Sequence, residues 1–293
     1  MMLGPSYSVV KSGTWVSWMQ FGLGPESERM PVTGSRERQE YFAHAHWGTH
    51  GVGQVPCTHE IYMEIGFYER GPEQERGSRG AEGRHDLYSI SIDGFAMSGG
   101  FYHPTEDDPK RHEWQLDDPQ QTGEGTVLIM AQRDVDQALA GSDHGQWLRD
   151  KVEQYGKDSV VIRKHPTFPL PEDFDTTGLQ LDNMTGDGAL HRALNHYRPE
   201  LVVAYSSSAT IKAFAAGWPT VCDHEFGFVQ PGMTMEDRPQ WMRNLSYRIW
   251  TAEECKRGAF APYLRRYLEI PEPPLDERGD VDATSKWYEV YGR

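Results

Sequence analysis

The stretch Leu201-Val-Val-Ala-Tyr-Ser206-Ser207-Ser208-Ala-Thr-Ile-Lys-Ala-Phe-Ala-Ala-Gly217-Trp-Pro219-Thr-Val-Cys222 decides the fold. Leu201–Ala204 is a short apolar run of the kind that forms a fully buried parallel strand. Ile211, Phe214 and Ala215 share one face at helical spacing, Gly217 suits a helix stop, and Pro219 cannot continue the helix. Thr220–Cys222 begins another strand, so the unit reads strand, serine turn, short helix, strand. Serines are favoured where a helix begins because the hydroxyl accepts a bond from a free backbone N–H. Three hydroxyls beside free N–H groups also make an anion site, since the dipole and the donors point at the ligand. A helix cap and a phosphate site are both open readings of Ser206–Ser208.

Working outward, the same alternation continues. Thr126–Ala131 reads as a buried strand, Gln146–Tyr155 as a helix with Trp147, Leu148 and Val152 inward, and Ser159–Ile162 as a strand delivering Arg163-Lys164-His165-Pro166 at its end. Gly188–Tyr197 fits a helix, and Asp223-His224-Glu225 follows the last strand, placed to meet a ribose or sugar hydroxyl. Strands alternating with helices predict an α/β fold with a parallel sheet covered on both faces. Ligands of such sheets gather at the carboxyl ends of strands, where two cations and a His suit a phosphate.

The first half is less regular. Trp15-Val-Ser-Trp18 is an aromatic segment, and His44-Ala-His46-Trp47-Gly48-Thr-His50 with His59-Glu60 is a histidine cluster. Alternate strand residues share a face, so His44 and His46 are candidate metal ligands or a general base; the plainer reading is strand-end and loop histidines. Ile61–Tyr68 and Leu87–Phe95 read as strands, the second ending in Asp93-Gly94, a turn or an acid presented at a strand end. Polar, proline-bearing residues 103–124 read as a linker, Glu236–Trp250 as an amphipathic stretch, and Thr251 with Glu254 as a capping box. These divisions give an N-terminal domain over 1–122, a second over 123–250, and a C-terminal helix and tail over 251–293.

The 293 residues suffice for two domains; 37% are apolar, with nine Trp, fourteen Tyr and eleven Phe as large burial units. No apolar run approaches the roughly 20 residues that span a bilayer, and the start lacks a signal-peptide pattern, so a cytoplasmic setting without a membrane partner is expected. Three scattered cysteines indicate neither a disulfide framework nor a zinc site. The net charge of −15 weighs against a nucleic-acid partner, which usually meets clustered Lys and Arg.

His165-Pro166, followed by a strand and Ser206-Ser207, resembles the paired HP and SS motifs of GT-B glycosyltransferases acting on capsule-type sugars and of some bacterial sialyltransferases. Asp237-Arg238-Pro-Gln-Trp241 through Leu245, then Trp250-Thr-Ala-Glu-Glu254 and Gly258, is also similar to the end of phage-encoded GT-B-like proteins. The resemblance spans residues 125–260 and is loose over the first 120. It implies a GT-B fold, two Rossmann-like domains facing a central cleft, with a metal-independent glycosyltransferase activity, no cofactor, and a nucleotide-sugar donor, expected to be a UDP-sugar.

Carried over, His165 would contact the nucleotide or phosphate and Ser206, Ser207 and Ser208 the phosphates. Arg163 or Lys164 would meet the leaving-group charge, and Glu225 a hydroxyl. The general base would come from Asp93, where the family shows two acids before the Gly and this chain has Ile92 in the first place; His44, His46 and His50 are the alternatives. The phage-type likeness implies hydroxymethylated pyrimidine (5-hydroxymethylcytosine) in phage DNA as acceptor, in a host cytoplasm, with Trp15, Trp18 and Trp47 stacking on an extruded base. A capsule or surface glycan is the competing acceptor. Two other classes stay open: a metal-dependent hydrolase using His44, His46, His50 and Glu60, and a non-catalytic binding protein on the same fold.

Overall fold

The computed structural model describes residues 3–5, 41–48, 57–67, 87–133, 139 and 141–270. Trp15, Trp18, His50 and the 271–293 tail lie outside them, as do the side chains of His44 and Trp47. The chain divides into two units, Met1–His112 with Asn244–Arg293, and Glu113–Arg243.

In chain order the described strands are β1 (Leu3–Pro5), β2 (Tyr41–Trp47), β3 (Cys57–Ile65), β4 (Leu87–Ile92), β5 (Val127–Met130), β6 (Val160–Arg163), β7 (Gln180–Asp182), β8 (Leu201–Ala204), β9 (Thr220–Cys222) and β10 (Ile249–Thr251). The α-helices are α1 (His144–Tyr155), α2 (Ala189–Tyr197), α3 (Ala209–Ala215), α4 (Arg238–Arg248), α5 (Ala252–Lys256) and α6 (Ala261–Tyr267).

The second unit holds a five-stranded, all-parallel sheet in the order β7-β6-β5-β8-β9. Its central strands β5, β6 and β8 are near-continuous apolar runs because both faces are covered. Ile129, Ile162 and Val203 pack on one face with Trp147 and Leu148 of α1, while Leu128, Val161 and Val202 pack on the other with Leu194 of α2 and Ala213 of α3. Asp143 caps α1 by accepting from Gln146 N–H at 2.9 Å. Gly217 ends the α3 turn at φ 86°, where a Cβ would fall on the Asp118 carbonyl. The three-residue β7 was not legible as a strand; Gln180 and Leu181 are incompletely buried, so the apolar signal is missing.

The first unit departs from the expected all-parallel pattern. Its sheet, β1-β2-β3-β4-β10, is parallel from β1 to β3 but antiparallel at β3–β4 and β4–β10. One face is apolar: Ala43, Ala45, Ile61, Met63, Tyr88, Ile90 and Trp250 pack against Cys255 of α5, Phe260, and Leu264 of α6. Complete burial of side chains such as Trp250 and Ile61 contributes about 1.5–3 kcal/mol each. β10 supplies Trp250 to this core, so the end of the amphipathic stretch read from sequence is a strand. The chain passes back into this unit within α4. The predicted capping box forms: Thr251 Oγ1 accepts from Glu254 N–H at 3.1 Å and Glu254 Oε2 from Thr251 N–H at 2.8 Å.

Candidate functional site

The parallel sheet sets three successive rows of residues at its carboxyl edge. Asp182, Arg163, Met130, Ala204 and Cys222 are in register across β7, β6, β5, β8 and β9. One step further come Lys164, Tyr205 and Asp223, and then His165, Gln132, Ser206 and His224. The chain runs from β5 to one side of the sheet and then starts again on the other, so the switch point lies between β5 and β8, where ligands of open α/β sheets bind.

Gln132 bridges that crevice. Its Oε1 accepts from Ser206 N–H at 2.7 Å, its Nε2 donates to Ser206 Oγ at 3.2 Å, and its own N–H donates to His144 Nε2 at 2.9 Å. All three side chains are buried. Accepting at Nε2 places the His144 proton on Nδ1. Ser206 is therefore held within the turn. Ser207 Oγ accepts weakly from Ala209 N–H at 3.3 Å, and Ser208 occupies the cap position without a side-chain cap bond. The amides of Ser207 and Ser208 donate to no group among the described residues. α3 has only seven residues, so hydroxyls and amides, rather than a long helix dipole, are what this turn offers.

On β6 the cations separate. Arg163 is buried and its Nη1 forms a close ion pair with Asp182 Oδ2 on β7, while Asp182 Oδ1 accepts from Met184 N–H at 3.0 Å. The guanidinium thus already has a carboxylate inside the sheet. Lys164, the next residue, makes no ion pair among the described residues. His165 Nδ1 accepts from Thr167 N–H at 3.3 Å, which leaves the proton of the neutral ring on Nε2. His224, at the end of β9, repeats this device: its Nδ1 accepts from Phe226 N–H at 3.2 Å.

Beside it, Tyr205 stacks on the His224 ring at 4.9 Å, and Trp147 meets Tyr205 edge-on at 5.9 Å. Trp147 Nε1 and Lys151 Nζ both reach Asp223 Oδ2, each at 2.7 Å. Burial pushes the nearby Tyr155 hydroxyl up from its ordinary range, opposed by the Lys151 charge and aided to a smaller extent by Asp223. Glu225 is exposed, and its contact is through the backbone, the carbonyl accepting from Gln230 Nε2 at 3.2 Å. Sequence reasoning missed Gln132, Trp147 and Tyr205 as site builders; the only signal was their position just after a strand or on the adjoining helix.

The first unit's sheet is polar on its other face. His46 on β2 is 0% exposed; its Nδ1 donates to Gly48 O at 2.8 Å and its Nε2 faces Glu60 Oε2 at 3.0 Å. Tyr62 lies edge-on to His46 at 4.4 Å, its hydroxyl pushed up by burial and then by the charges of Glu60, Asp93 and Cys57. Glu60, 18% exposed, is the member of the pair that reaches the surface. His46 in this position acts on a ligand only through Glu60.

Asp93 sits at φ 57° after β4, its Oδ1 accepting from Glu60 N–H at 2.8 Å and its Oδ2 2.7 Å from His59 Nδ1. Because β4 runs antiparallel to β3, this acid stands beside the amino-terminal half of β3, away from the carboxyl ends of β1–β3. The turn carrying it is held by buried Arg248, which donates to Ala96 O at 3.1 Å and Gly99 O at 2.8 Å; burial lowers that guanidinium to about 10. Of the four residues His44, His46, His50 and Glu60 read as a hydrolase metal set, only His46 and Glu60 have described side chains. Among the described residues no three His, Cys, Asp or Glu come together as a metal site.

No family model matches the chain. No curated protein matches it either. Among solved structures, KpsC of Thermosulfurimonas dismutans, a beta Kdo 2,7 transferase, is similar over 89% of this chain and 99% of its own, at 11% identity and a TM-score of 0.49. No described helix is long and apolar enough to cross a membrane.

Proposed function

We propose that the chain transfers a sugar from a nucleotide-sugar donor to a hydroxyl of a glycan, with the donor bound on the second unit and the two units corresponding to the halves of a GT-B enzyme. The observation that carries this reading is the pair of residue rows at the carboxyl edge: Lys164 and His165 on one side of the switch point, Tyr205–Ser208 with Asp223 and His224 on the other. Lys164, the Nε2–H of His165 and the hydroxyls of Ser207 and Ser208 are donors for the diphosphate or phosphate that leaves; such preorganised charge is what lowers this kind of barrier. Ser206 contributes by fixing the turn through Gln132. Among the described residues the Glu225 carboxylate has no anchoring bond, so its place beside a donor hydroxyl rests on its position after β9 alone.

On the acceptor side a carboxylate takes the hydroxyl proton as that oxygen attacks the anomeric carbon and the carbon–phosphate-oxygen bond breaks. Asp93 and Glu60 backed by His46 are the two proposed bases, and Asp93→Asn against Glu60→Gln in turnover assays separates them.

A glycan is favoured over hydroxymethylated DNA by charge. The chain carries −15, and Arg111, Arg163, Arg238, Arg243, Arg248 and Arg266 already face carboxylates or carbonyls of the chain itself. A duplex needs released, clustered cations. The test is thermal stabilisation by CMP-, UDP- and GDP-sugars, then transfer to capsule-type oligosaccharides and to 5-hydroxymethylcytosine DNA, read by mass spectrometry. Stabilisation by one donor and mass gain on a glycan are expected. Mass gain on DNA alone would overturn the acceptor, and no stabilisation of the folded protein by any donor would overturn the transferase.

A further inference from the structure

The 164–179 loop that carries His165 from β6 to β7 runs as turns and irregular backbone, and Pro166, Pro169 and Pro171 have no N–H with which to tie it down. Side chains hold it instead. Leu170 and Phe174 pack with Trp147 and Leu148 of α1, and Arg149 Nη1 donates to Asp173 Oδ2 at 2.9 Å and to Asp173 O at 3.2 Å. Closer to β6 the loop meets Arg133, which follows Gln132 after the end of β5. The guanidinium carbon of Arg133 lies 4.4 Å from the centre of the Phe168 ring, and Phe168 stands edge-on to His165 at 5.4 Å. Arg133 Nε is buried and makes no hydrogen bond among the described residues. This arginine is therefore held by its face, as a planar cation on an aromatic ring is. Its root is fixed as well, because Gln132 is bonded to His144 and Ser206.

The bond that His165 Nδ1 accepts from Thr167 N–H is 3.3 Å long, and it comes from the same loop, so it moves with the loop. A firm N–H bond is about 2.7–3.2 Å. An edge-on aromatic contact adds what that bond lacks, a preferred direction for the ring as well as a place. We infer that Arg133 is a positioning residue: by clamping Phe168 to the end of β5 it sets where the His165 ring stands relative to the serine turn. This rests on the donor reading above, in which His165 Nε2–H meets the leaving group. β5 is bonded to β6 on one side and to β8 on the other, and Gln132 already holds Ser206 from it. Both halves of the candidate site are then registered to two consecutive residues, Gln132 for the serine turn and Arg133 for the His165 loop. A ring held in this way before the ligand arrives leaves less ordering to be done on binding.

The experiment uses the full chain with isotope-labelled histidine, the His165 magnetic-resonance signal being assigned by its loss in His165→Asn, together with calorimetry of CMP, UMP and UDP binding. The Phe168 ring current displaces the His165 signal, so that signal reports whether the two rings still meet. Arg133→Met is expected to move it toward its position in Phe168→Leu. Each variant is expected to weaken nucleotide binding about threefold, the worth of one partly exposed cation–π contact. The double variant is expected to lose no more than either single one, since the two residues act as a unit. An unmoved His165 signal in folded Arg133→Met overturns the inference. So does a loss in Arg133→Met that adds in full to that of Phe168→Leu, because Arg133 then acts on the ligand by itself. Arg133→Gln replaces Arg133→Met should the latter not fold. A moved signal with unchanged affinity overturns the positioning role alone. Absence of nucleotide binding in wild type would instead overturn the donor reading, and this one with it.

Discussion

Glu254→Gln gives a stability prediction whose size follows from the structure. The Glu254 carboxylate caps α5 and receives Arg111 Nη2 at 2.9 Å and His112 Nε2 at 3.1 Å, while Arg111 also lies over the Trp250 ring at 3.8 Å. Burial alone would raise the carboxyl; the bonds from His112 and Thr251 N–H and the charges of Arg111 and His112 outweigh it, lowering the group from 4.5 to about 2. At about 1.36 kcal/mol per unit, the difference corresponds to at most roughly 3.4 kcal/mol. The side chain is 17% exposed, so screening reduces this to about 2 kcal/mol.

The sign is fixed by linkage. A depressed carboxylate stabilises the fold above the unfolded value of 4.5, and that contribution is lost as pH falls toward 2. Gln keeps an oxygen for the Thr251 N–H but carries no charge. Urea unfolding of wild type and Glu254→Gln is therefore expected to show a gap of about 2 kcal/mol at pH 6, narrowing by roughly 1.3 kcal/mol at pH 3.5, where the unfolded wild-type chain takes up the proton first. A gap that stays constant between the two pH values would refute the assignment of this stabilisation to the charged cluster.

Two further predictions concern stability in the second unit. Arg163→Met leaves Asp182 buried without its cation and is expected to cost roughly 3–5 kcal/mol in urea unfolding, with Asp182→Leu restoring most of it. A loss under about 1 kcal/mol would return Arg163 to the pool of ligand contacts. Gly217→Ala combines a left-handed φ with a collision on the Asp118 carbonyl and is expected to cost more than about 1 kcal/mol, lowering the melting temperature. An unchanged melting temperature would mean the 118–120 segment is free to move aside.

The sequence by itself determined the core of the second unit, β5, β6, β8 and β9 with their helices, but not the edge strand β7. Its central strands are buried on both faces, so they read as near-continuous apolar runs, and Ile211, Phe214, Gly217 and Pro219 bracket a helix by local rules that need no partner. The capping box at Thr251 and Glu254 was legible for the same reason, since both halves of it lie within four residues. What local rules do not encode is pairing at long range. β10 is a strand only because Ile249–Thr251 meets Leu87–Ser89, more than 150 residues away in the chain, and the antiparallel β4 follows from that mixed sheet.

The same limit separated the candidate residues. Arg163 and Lys164 are alike as neighbours in sequence, but the pleat turns one into the sheet toward Asp182 and leaves the other at its edge. Ser206–Ser208 read as three equivalent hydroxyls until Gln132, 74 positions earlier, takes the first. Asp93 and His46 looked independent, and Glu60 touches both, through its amide and its carboxylate. The pattern of hydrophobic runs placed the edge at which ligands gather; only the tertiary structure decided which side chains there are already engaged with the protein and which still face outward.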